Sequence, residues 1–218
     1  MRSTEIENRK LVLKLTDHQR EILIGTLLGD AHLETQNQGR TYRVKFEQSL
    51  AHKDYVFHLY EAFKDWVNSP PKERIVHRKG NFSTNYRFST LSHEAFRFYA
   101  HQFYLGGVKS IPASIRKWLT PRALAYWYMD DGSRKSKQSK GIIFNTQGFS
   151  PVDVKTLSEI LFENFKLENS LRKQKNGLQI YVSGRSSKMF QSIVEPHIIQ
   201  SMWYKMPHSN NCEDNTNA

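Results

Sequence analysis

The sequence predicts an α+β protein built from two pseudo-symmetric halves, each running α-β-β-α-β-β-α. Three observations carry that expectation. First, an apolar stretch that ends on an acid occurs twice, at Leu23-Ile24-Gly25-Thr26-Leu27-Leu28-Gly29-Asp30-Ala31 and at Leu124-Ala125-Tyr126-Trp127-Tyr128-Met129-Asp130-Asp131-Gly132. Second, landmarks around the two copies stay in register. Leu15-Thr16 answers Leu119-Thr120, Glu47 follows Asp30 at nearly the interval at which Gln147 follows Asp131, and Lys109 and Lys205 each stand just before a proline, Pro112 and Pro207. Third, runs of period-two alternation are interleaved with amphipathic helical runs in the same order in both halves.

In chain order, residues 1–14 read as a short arm, 15–112 as the first half, 113–207 as the second, and 208–218 as a disordered tail poor in apolar residues. Thr16 N-caps a helix and Gln19, three residues on, closes a capping box; the helix runs to Gly29 or Asp30. Residues 40–47 alternate, with Tyr42, Val44 and Phe46 on one face and Arg43, Lys45 and Glu47 on the other. A helix over 52–67 carries Tyr55, Leu59, Phe63 and Trp66 at helical spacing and stops at Pro70-Pro71. Residues 74–90 hold two strands joined at Lys79-Gly80-Asn81, and Ser92 caps a helix through Phe103. In the second half, Thr120 and Pro121 open the motif helix. A basic loop over 134–140, a strand over 141–146 and a helix over 150–165 follow. Asn176-Gly177 marks a two-residue hairpin, and a last helix covers 186–199.

Composition narrows the partners. With 32 Lys and Arg against 21 Asp and Glu, the chain carries a net charge of +11, and 38% hydrophobic residues supply a core. A well-packed basic protein suits a polyanion, because neutralising phosphates releases counterions. The single cysteine, Cys212, excludes an internal disulfide framework and a cysteine-based zinc site. No apolar run reaches the roughly 18 residues of a membrane span, and residues 1–10 lack the apolar core of a secretory signal, so the expectation is a soluble intracellular protein.

The repeated acids suggest chemistry. Gly25, Gly29 and Ala125 are small enough for the two motif helices to approach closely, and parallel packing would bring Asp30 and Asp131 together. Two carboxylates at the negative ends of two helices repel each other, and a divalent cation resolves the conflict. Oxygen-only ligands without a histidine or cysteine cluster favour Mg²⁺, which keeps several waters and takes a few carboxylates plus phosphate. On a basic protein that phosphate belongs to a nucleic acid, and Lys109 and Lys205 would offset developing charge or help activate water. Asp130 reads as a solvated residue or one supporting the site from behind, because adjacent positions do not share a helix face.

At this point the sequence resembles the LAGLIDADG homing endonucleases in their single-chain, two-motif form. The resemblance runs from Gly25 to Pro207. It rests on Gly29-Asp30-Ala31, Ser69-Pro70-Pro71, Leu124-Ala125-Tyr126-Trp127, Met129-Asp130-Asp131-Gly132, Asn145-Thr146-Gln147 and Tyr204-Lys205-Met206-Pro207. It implies a monomer whose two antiparallel sheets form a saddle on double-stranded DNA, with the motif helices at the interface. It also implies Mg²⁺-dependent cleavage of both strands at a long site, leaving 3′ overhangs, with Mn²⁺ as a substitute, and an organelle-encoded, mitochondrial origin. Carried onto this chain, Asp30 and Asp131 are metal ligands with Gly29 and Asp130 beside them, Lys109 and Lys205 are the basic pair, and Glu47 and Gln147 shape the metal and water pool. Two departures stand out: Ala31 replaces a glycine that suits a helix cap, and Tyr126 and Trp127 put bulk at a tight interface.

Polar strand residues that alternate with core residues can line the major groove. Arg43, Lys45, Asn85, Arg87, Arg172, Lys173, Lys175 and Gln179 are candidates for contacting DNA, whereas Arg134, Lys135, Lys137 and Lys140 look like phosphate contacts. Two other functions fit the same sequence: an intron maturase binding its host RNA, and a DNA-binding protein that has lost cleavage. Retention of both acids and both lysines argues against the second of these.

Overall fold

Capping chemistry starts the fold where the sequence places it. After helix α1 (Ser3–Val12), helix α2 (Asp17–Leu28) opens on Thr16, whose hydroxyl accepts the Gln19 N–H while the Gln19 side chain accepts the Thr16 N–H. That reciprocal pair satisfies two donors that a helix start leaves orphaned. The computed structural model describes residues 3–78, 81–136 and 138–207. Lys79 and Gly80 of the expected turn, Lys137, and the tail from His208 lie outside them. The expected arm is largely helical, and Arg9 moors it. Its guanidinium donates to the carbonyls of Lys64 (3.0 Å), Asp65 and Val67 (3.2 Å) in the 3-10 turn that follows the helix over residues 53–62.

Four strands, β1 (His32–Glu34), β2 (Arg43–Ser49), β3 (Lys72–Arg78) and β4 (Asn81–Ser89), form an antiparallel sheet in the order β1-β2-β4-β3. Period-two alternation decides its faces. Val44, Phe46, Tyr86 and Phe88 are buried on one side, where α3 (Lys53–Ala62) and the turn after it cover them. Phe46 sits between Phe88 and Phe63, with ring centroids at 4.9 and 5.3 Å. Arg43, Lys45, Glu47, Asn85 and Arg87 occupy the opposite, open side, as alternation predicts. Helix α4 (Arg97–Phe103) follows a 3-10 turn that is capped by His93, one residue later than the expected Ser92. The His93 Nδ1 accepts the Ala95 N–H at 3.0 Å, because extended backbone at His93, paired with Tyr42, delays the first turn. A small hairpin, β5 (Tyr104–Leu105) and β6 (Val108–Lys109), turns on Gly106 and Gly107, both at positive φ.

Past the short α5 (Ile115–Trp118), α6 (Pro121–Asp131) lies against α2. The contacts advance together along both helices, so they run parallel. Glu21 pairs with Arg122, Gly25 meets Ala123 and Tyr126, and Gly29 meets Asp130. A Cβ added to Gly25 would stand 2.4 Å from the Ala123 carbonyl oxygen, so the approach is backbone to backbone. This packing places α6 with the first of two compact units, which end and begin at Asp130 and Asp131, and not with the strands that follow it.

The second unit repeats the plan with β7 (Gly132–Ser136), β8 (Ser139–Phe144), α7 (Pro151–Phe165), β9 (Asn169–Gln174), β10 (Gly177–Val182) and α8 (Ser187–Val194). Its strand order, β7-β8-β10-β9, matches that of the first sheet. The stretch expected as a basic loop is mostly strand: Arg134 and Lys135 belong to β7 and Lys140 to β8, with an irregularity between Arg134 and Ser136. An edge strand tolerates such charge, and its basic composition hid it. Ser150 caps α7 by accepting the Asp153 N–H, Pro151 opens it, and Val154, Leu157, Ile160 and Leu161 form its buried side. The expected hairpin forms, but its two-residue turn is Lys175-Asn176, one position earlier than predicted: Gly177, at φ +143°, already pairs with Gln174 as the first residue of β10. Helix α8 gives way to a 3-10 turn at Pro196, so the last α-helix is shorter than expected. Among the described residues no helix is long and apolar enough to cross a membrane.

Candidate active site

The first motif delivers Asp30 to solvent just beyond the end of α2. Gly29 is the C-cap, its N–H donating to Gly25 O at 3.2 Å. A Cβ on Gly29 would stand 2.4 Å from the Cβ of Asp130, so only glycine lets α6 come this close. Asp130 is therefore not a merely solvated residue. Its Oδ2 accepts the Asp30 N–H at 3.1 Å, and the Gln48 side-chain amide donates both to Asp30 Oδ2 (2.8 Å) and to Asp130 Oδ1 (3.2 Å). Asp30 Oδ1 takes no hydrogen bond among the described residues. Beneath this cluster the Tyr55 hydroxyl is fully buried close to Asp130. Burial, reinforced by the negative charge of Asp130, pushes its ionisation far up, so it stays a neutral O–H.

Lys109 is placed by the β5–β6 hairpin. Its ammonium donates to the carbonyls of Gly29 (2.7 Å) and Ala31 (3.1 Å), on either side of Asp30. A cation here satisfies carbonyls at the helix end and favourably meets the negative end of the dipole. Glu47, by contrast, points to the open face of the sheet, where Arg74 (3.0 Å) and Asn85 (2.8 Å) donate to it. Burial acts to raise its pKa. The hydrogen bonds from Asn85 and Arg74 and the charges of Arg74 and Arg87 outweigh that and hold the carboxyl below its ordinary value. The residue that reaches Asp30 is its neighbour Gln48, which was not among the sequence candidates. The signal for it was present: Gln48 continues the inward series Val44, Phe46, where a polar side chain is out of pattern.

In the second unit, Asp131 is the last residue of α6, and Asn145 holds its main chain. The Asn145 N–H (3.0 Å) and side-chain amide (2.9 Å) both donate to Asp131 O. Behind Asn145 runs a relay of amides: Gln179 donates to Asn145 Oδ1 at 2.7 Å, and Gln174 donates to Gln179 Oε1 at 3.2 Å. Gln179 is thus 8% exposed and committed to the relay. Gln147 lies in the turn after β8, with its backbone against Gly177, and Lys205 closes the 3-10 turn over 200–205.

The open sheet faces carry most of the candidate DNA-binding residues. On the first, Arg43 and Lys45 (2.9 Å) both pair with Glu34, and Arg87 stands opposite Glu47. On the second, Arg172 lies flat on the ring of Tyr181, its guanidinium carbon 3.4 Å from the centroid, and Lys135 approaches the same ring at 5.6 Å. Tyr181 itself lies over Gly141, where any Cβ would stand 2.4 Å from the ring. Lys173 pairs with Leu178 on the other face, and Lys175 sits in the hairpin turn. Among the described residues no group of three or more His, Cys, Asp or Glu is assembled to hold a metal ion. A divalent cation near Asp30 would have few carboxylates of the described residues beside it, leaving room in its shell for water and phosphate oxygens.

A family model described as the LAGLIDADG DNA endonuclease family matches residues 20–190. The chain is 31% identical over 214 residues to a protein named DNA endonuclease I-ChuI from Chlamydomonas applanata, covering 91% of this chain and 98% of that one. It is also 31% identical to a cytochrome b mRNA maturase, bI2, from Saccharomyces cerevisiae, covering 85% of this chain and 46% of the maturase. Among solved structures, the homing endonuclease I-WcaI bound to its DNA recognition sequence superposes with a TM-score of 0.89 at 31% identity, over 94% of this chain and 92% of that one.

Proposed function

The chain belongs to the LAGLIDADG DNA endonuclease family, and from that premise we propose that it hydrolyses both strands of double-stranded DNA at one long target site, leaving 3′ overhangs, with Mg²⁺ as cofactor and Mn²⁺ as a substitute. The observation that carries this reading is the exposed Asp30 carboxylate at a helix end, with Asp130, Gln48 and Lys109 arranged around it. Asp30 in the first unit and Asp131 at the start of the second are the proposed cation ligands. The donor set fits, because Asp30 keeps one oxygen clear of hydrogen bonds while the other is held by an amide. A divalent cation there supplies Lewis acidity to the scissile phosphate and lowers the pKa of a coordinated water.

The chain's own residues do the rest. Lys109 keeps positive charge beside Asp30 and offsets charge that develops on the phosphate, and Lys205 is the proposed counterpart in the second unit. The open sheet faces hold phosphates and base edges through Arg43, Lys45, Asn85, Arg87, Lys135 and Arg172, while Arg134 and Lys140, on the side of their strands that also carries buried Ile142, are proposed as phosphate contacts at the sheet's edge. Glu47 and Gln147 are proposed to order water and backbone near the cut. Incubating the protein with a randomised duplex library, with and without Mg²⁺, tests activity and recovers the target together. Recovery of one enriched, doubly cut site supports the reading, and uncut library at every Mg²⁺ concentration refutes it. The similarity to a maturase favours a second reading, in which the same chain binds its host-intron RNA. Splicing of that intron with and without the protein distinguishes the two.

A further inference from the structure

We infer that Tyr181, lying over Gly141, is a positioning residue that holds Arg172 flat as the reader of one guanine in the DNA target. This rests on the endonuclease reading for the duplex that Arg172 meets. Strand pairing puts the parts together. Ile142, Phe144, Ile180 and Val182 are buried, so alternation leaves Gly141, Ile143 and Tyr181 on the open face of the second sheet. Arg172 pairs with Gln179 on the neighbouring strand, which makes it the diagonal neighbour of Tyr181, paired with Ser170. Gly141 then decides how the ring lies. A Cβ there would stand 2.4 Å from a ring carbon of Tyr181 and 2.5 Å from its hydroxyl oxygen, so only glycine lets the phenol end rest on β8.

The guanidinium carbon of Arg172 stands 3.4 Å from the centroid of that ring, and the Lys135 ammonium, from β7, 5.6 Å. The line from Arg172 to Lys135 thus crosses all four strands. Stacking fixes an arginine differently from an ion pair. The ring meets the flat face of the guanidinium, whereas the N–H donors lie in its plane and stay available. Among the described residues no hydrogen bond or ion pair engages the Arg172 donors. Arg43 and Arg74 of the first sheet, by contrast, give theirs to Glu34 and Glu47. A phosphate accepts from many directions and gains little from a fixed plane. Guanine offers two acceptors, O6 and N7, side by side in the plane of the base, which match two parallel N–H groups. Setting the plane in advance removes an ordering cost from that contact, and lysine, a compact charge without a plane, does not reproduce it.

The test selects bound duplexes from a randomised library in EDTA, where no cleavage is needed, with full-length wild type, Arg172→Lys, Tyr181→Leu and Tyr181→Phe. Among the bases that wild type selects, one guanine is expected whose replacement weakens binding about tenfold, on the scale of one bidentate arginine contact. Arg172→Lys and Tyr181→Leu should discriminate there less than about threefold and keep the preferences at every other position. Tyr181→Phe, which retains the ring, should restore the preference. A synthetic site with 7-deazaguanine at that position lacks the N7 acceptor. Wild type should bind it about fivefold more weakly than guanine, and Arg172→Lys and Tyr181→Leu should bind both alike. If Tyr181→Leu melts early, Arg172→Lys carries the test, because it keeps the charge and leaves the ring in place. A loss spread evenly over all sequences, or a wild type indifferent to 7-deazaguanine at every selected guanine, identifies a phosphate contact and overturns the inference. So does a wild type that selects no base, or a Tyr181→Phe profile matching that of Tyr181→Leu. Guanine selection in EDTA by a protein that cuts no duplex with Mg²⁺ sinks the endonuclease reading and leaves the role of the stack standing.

Discussion

The two units bring the same kind of residue to the same kind of place and secure it differently. In the first, the amide of Gln48 grips the carboxylate of Asp30. In the second, the amide of Asn145 grips the main-chain carbonyl of Asp131, backed by the relay through Gln179 and Gln174. The sheets diverge in the same sense. The strands of the first include Glu34, Glu47 and Glu73, and the first two of these tie down Arg43, Lys45, Arg74 and Asn85. The four strands of the second contain no acid, and Arg172 and Lys135 are gathered on an aromatic ring. Duplication has kept the backbone plan and let the side-chain networks part ways, so the first unit is organised by internal ion pairs and the second is left with more of its positive charge for a partner.

The most demanding test of equivalence is at the acids themselves. Asp30→Asn and Asp131→Asn should each slow cleavage by at least about a thousandfold, since loss of a metal-binding carboxylate removes several kcal/mol of transition-state stabilisation. Duplex binding in EDTA should be retained. Equal losses make the units catalytic equals, whereas near-normal cleavage by either variant removes that acid from the site. Next in size is a contrast between two glycines. Gly25→Ala drives a methyl into the Ala123 carbonyl, where nothing flexible can give, and should lower stability by about 3 kcal/mol in chemical denaturation. Gly141→Ala meets only the Tyr181 ring, which can lift at the expense of the Arg172 stack. It should leave stability within about 1 kcal/mol and weaken DNA binding a few-fold.

The charge contrast is tested by unmasking. Glu34→Gln together with Glu47→Gln frees Arg43, Lys45 and Arg74, and should tighten non-specific duplex binding about tenfold and steepen its dependence on salt. Removing Arg172 and Lys135 should do the reverse. If the double glutamine variant binds as the wild type does, the ion pairs of the first sheet open on DNA and the contrast between the faces disappears.

Much of this was legible in the sequence. Thr16 with Gln19, the alternation through Phe46 and Phe88, Asn176-Gly177 and the paired helix ends are local signals, each read from a few neighbouring residues. What was not legible depends on residues that meet across the chain. Asp130 read as either a solvated residue or a support to the site because its neighbour carried the match to the first motif, and the contacts that decide between the two, with the Asp30 N–H and Gln48, lie far from it in sequence. Glu47 drew attention by its spacing from Asp30, yet the pleat turns it to the open face and hands the contact with Asp30 to Gln48. Strand β7 was hidden by its lysine and arginine, which suit an edge strand as well as a loop.

The smallest expected difference between the units concerns acid. Helix α7 covers its sheet with an apolar side, whereas α3 places His58 within 2.6 Å of the Tyr126 hydroxyl, its ring stacked beside that tyrosine. Burial, and secondarily the charge of His18, lowers the His58 pKa from its ordinary value of 6.5. A lowered pKa means that the fold prefers the neutral ring. The stability this contributes is complete above pH 6.5 and is lost as pH falls from there through the folded-state value, because the unfolded chain takes up the proton first. Wild type should therefore lose Tm as pH falls below 6.5 by more than His58→Gln does, since the glutamine keeps a polar contact to Tyr126 and has no proton to gain. Parallel Tm curves for the two proteins below that pH would show that the first unit tolerates a charged His58, and would erase this difference from the second.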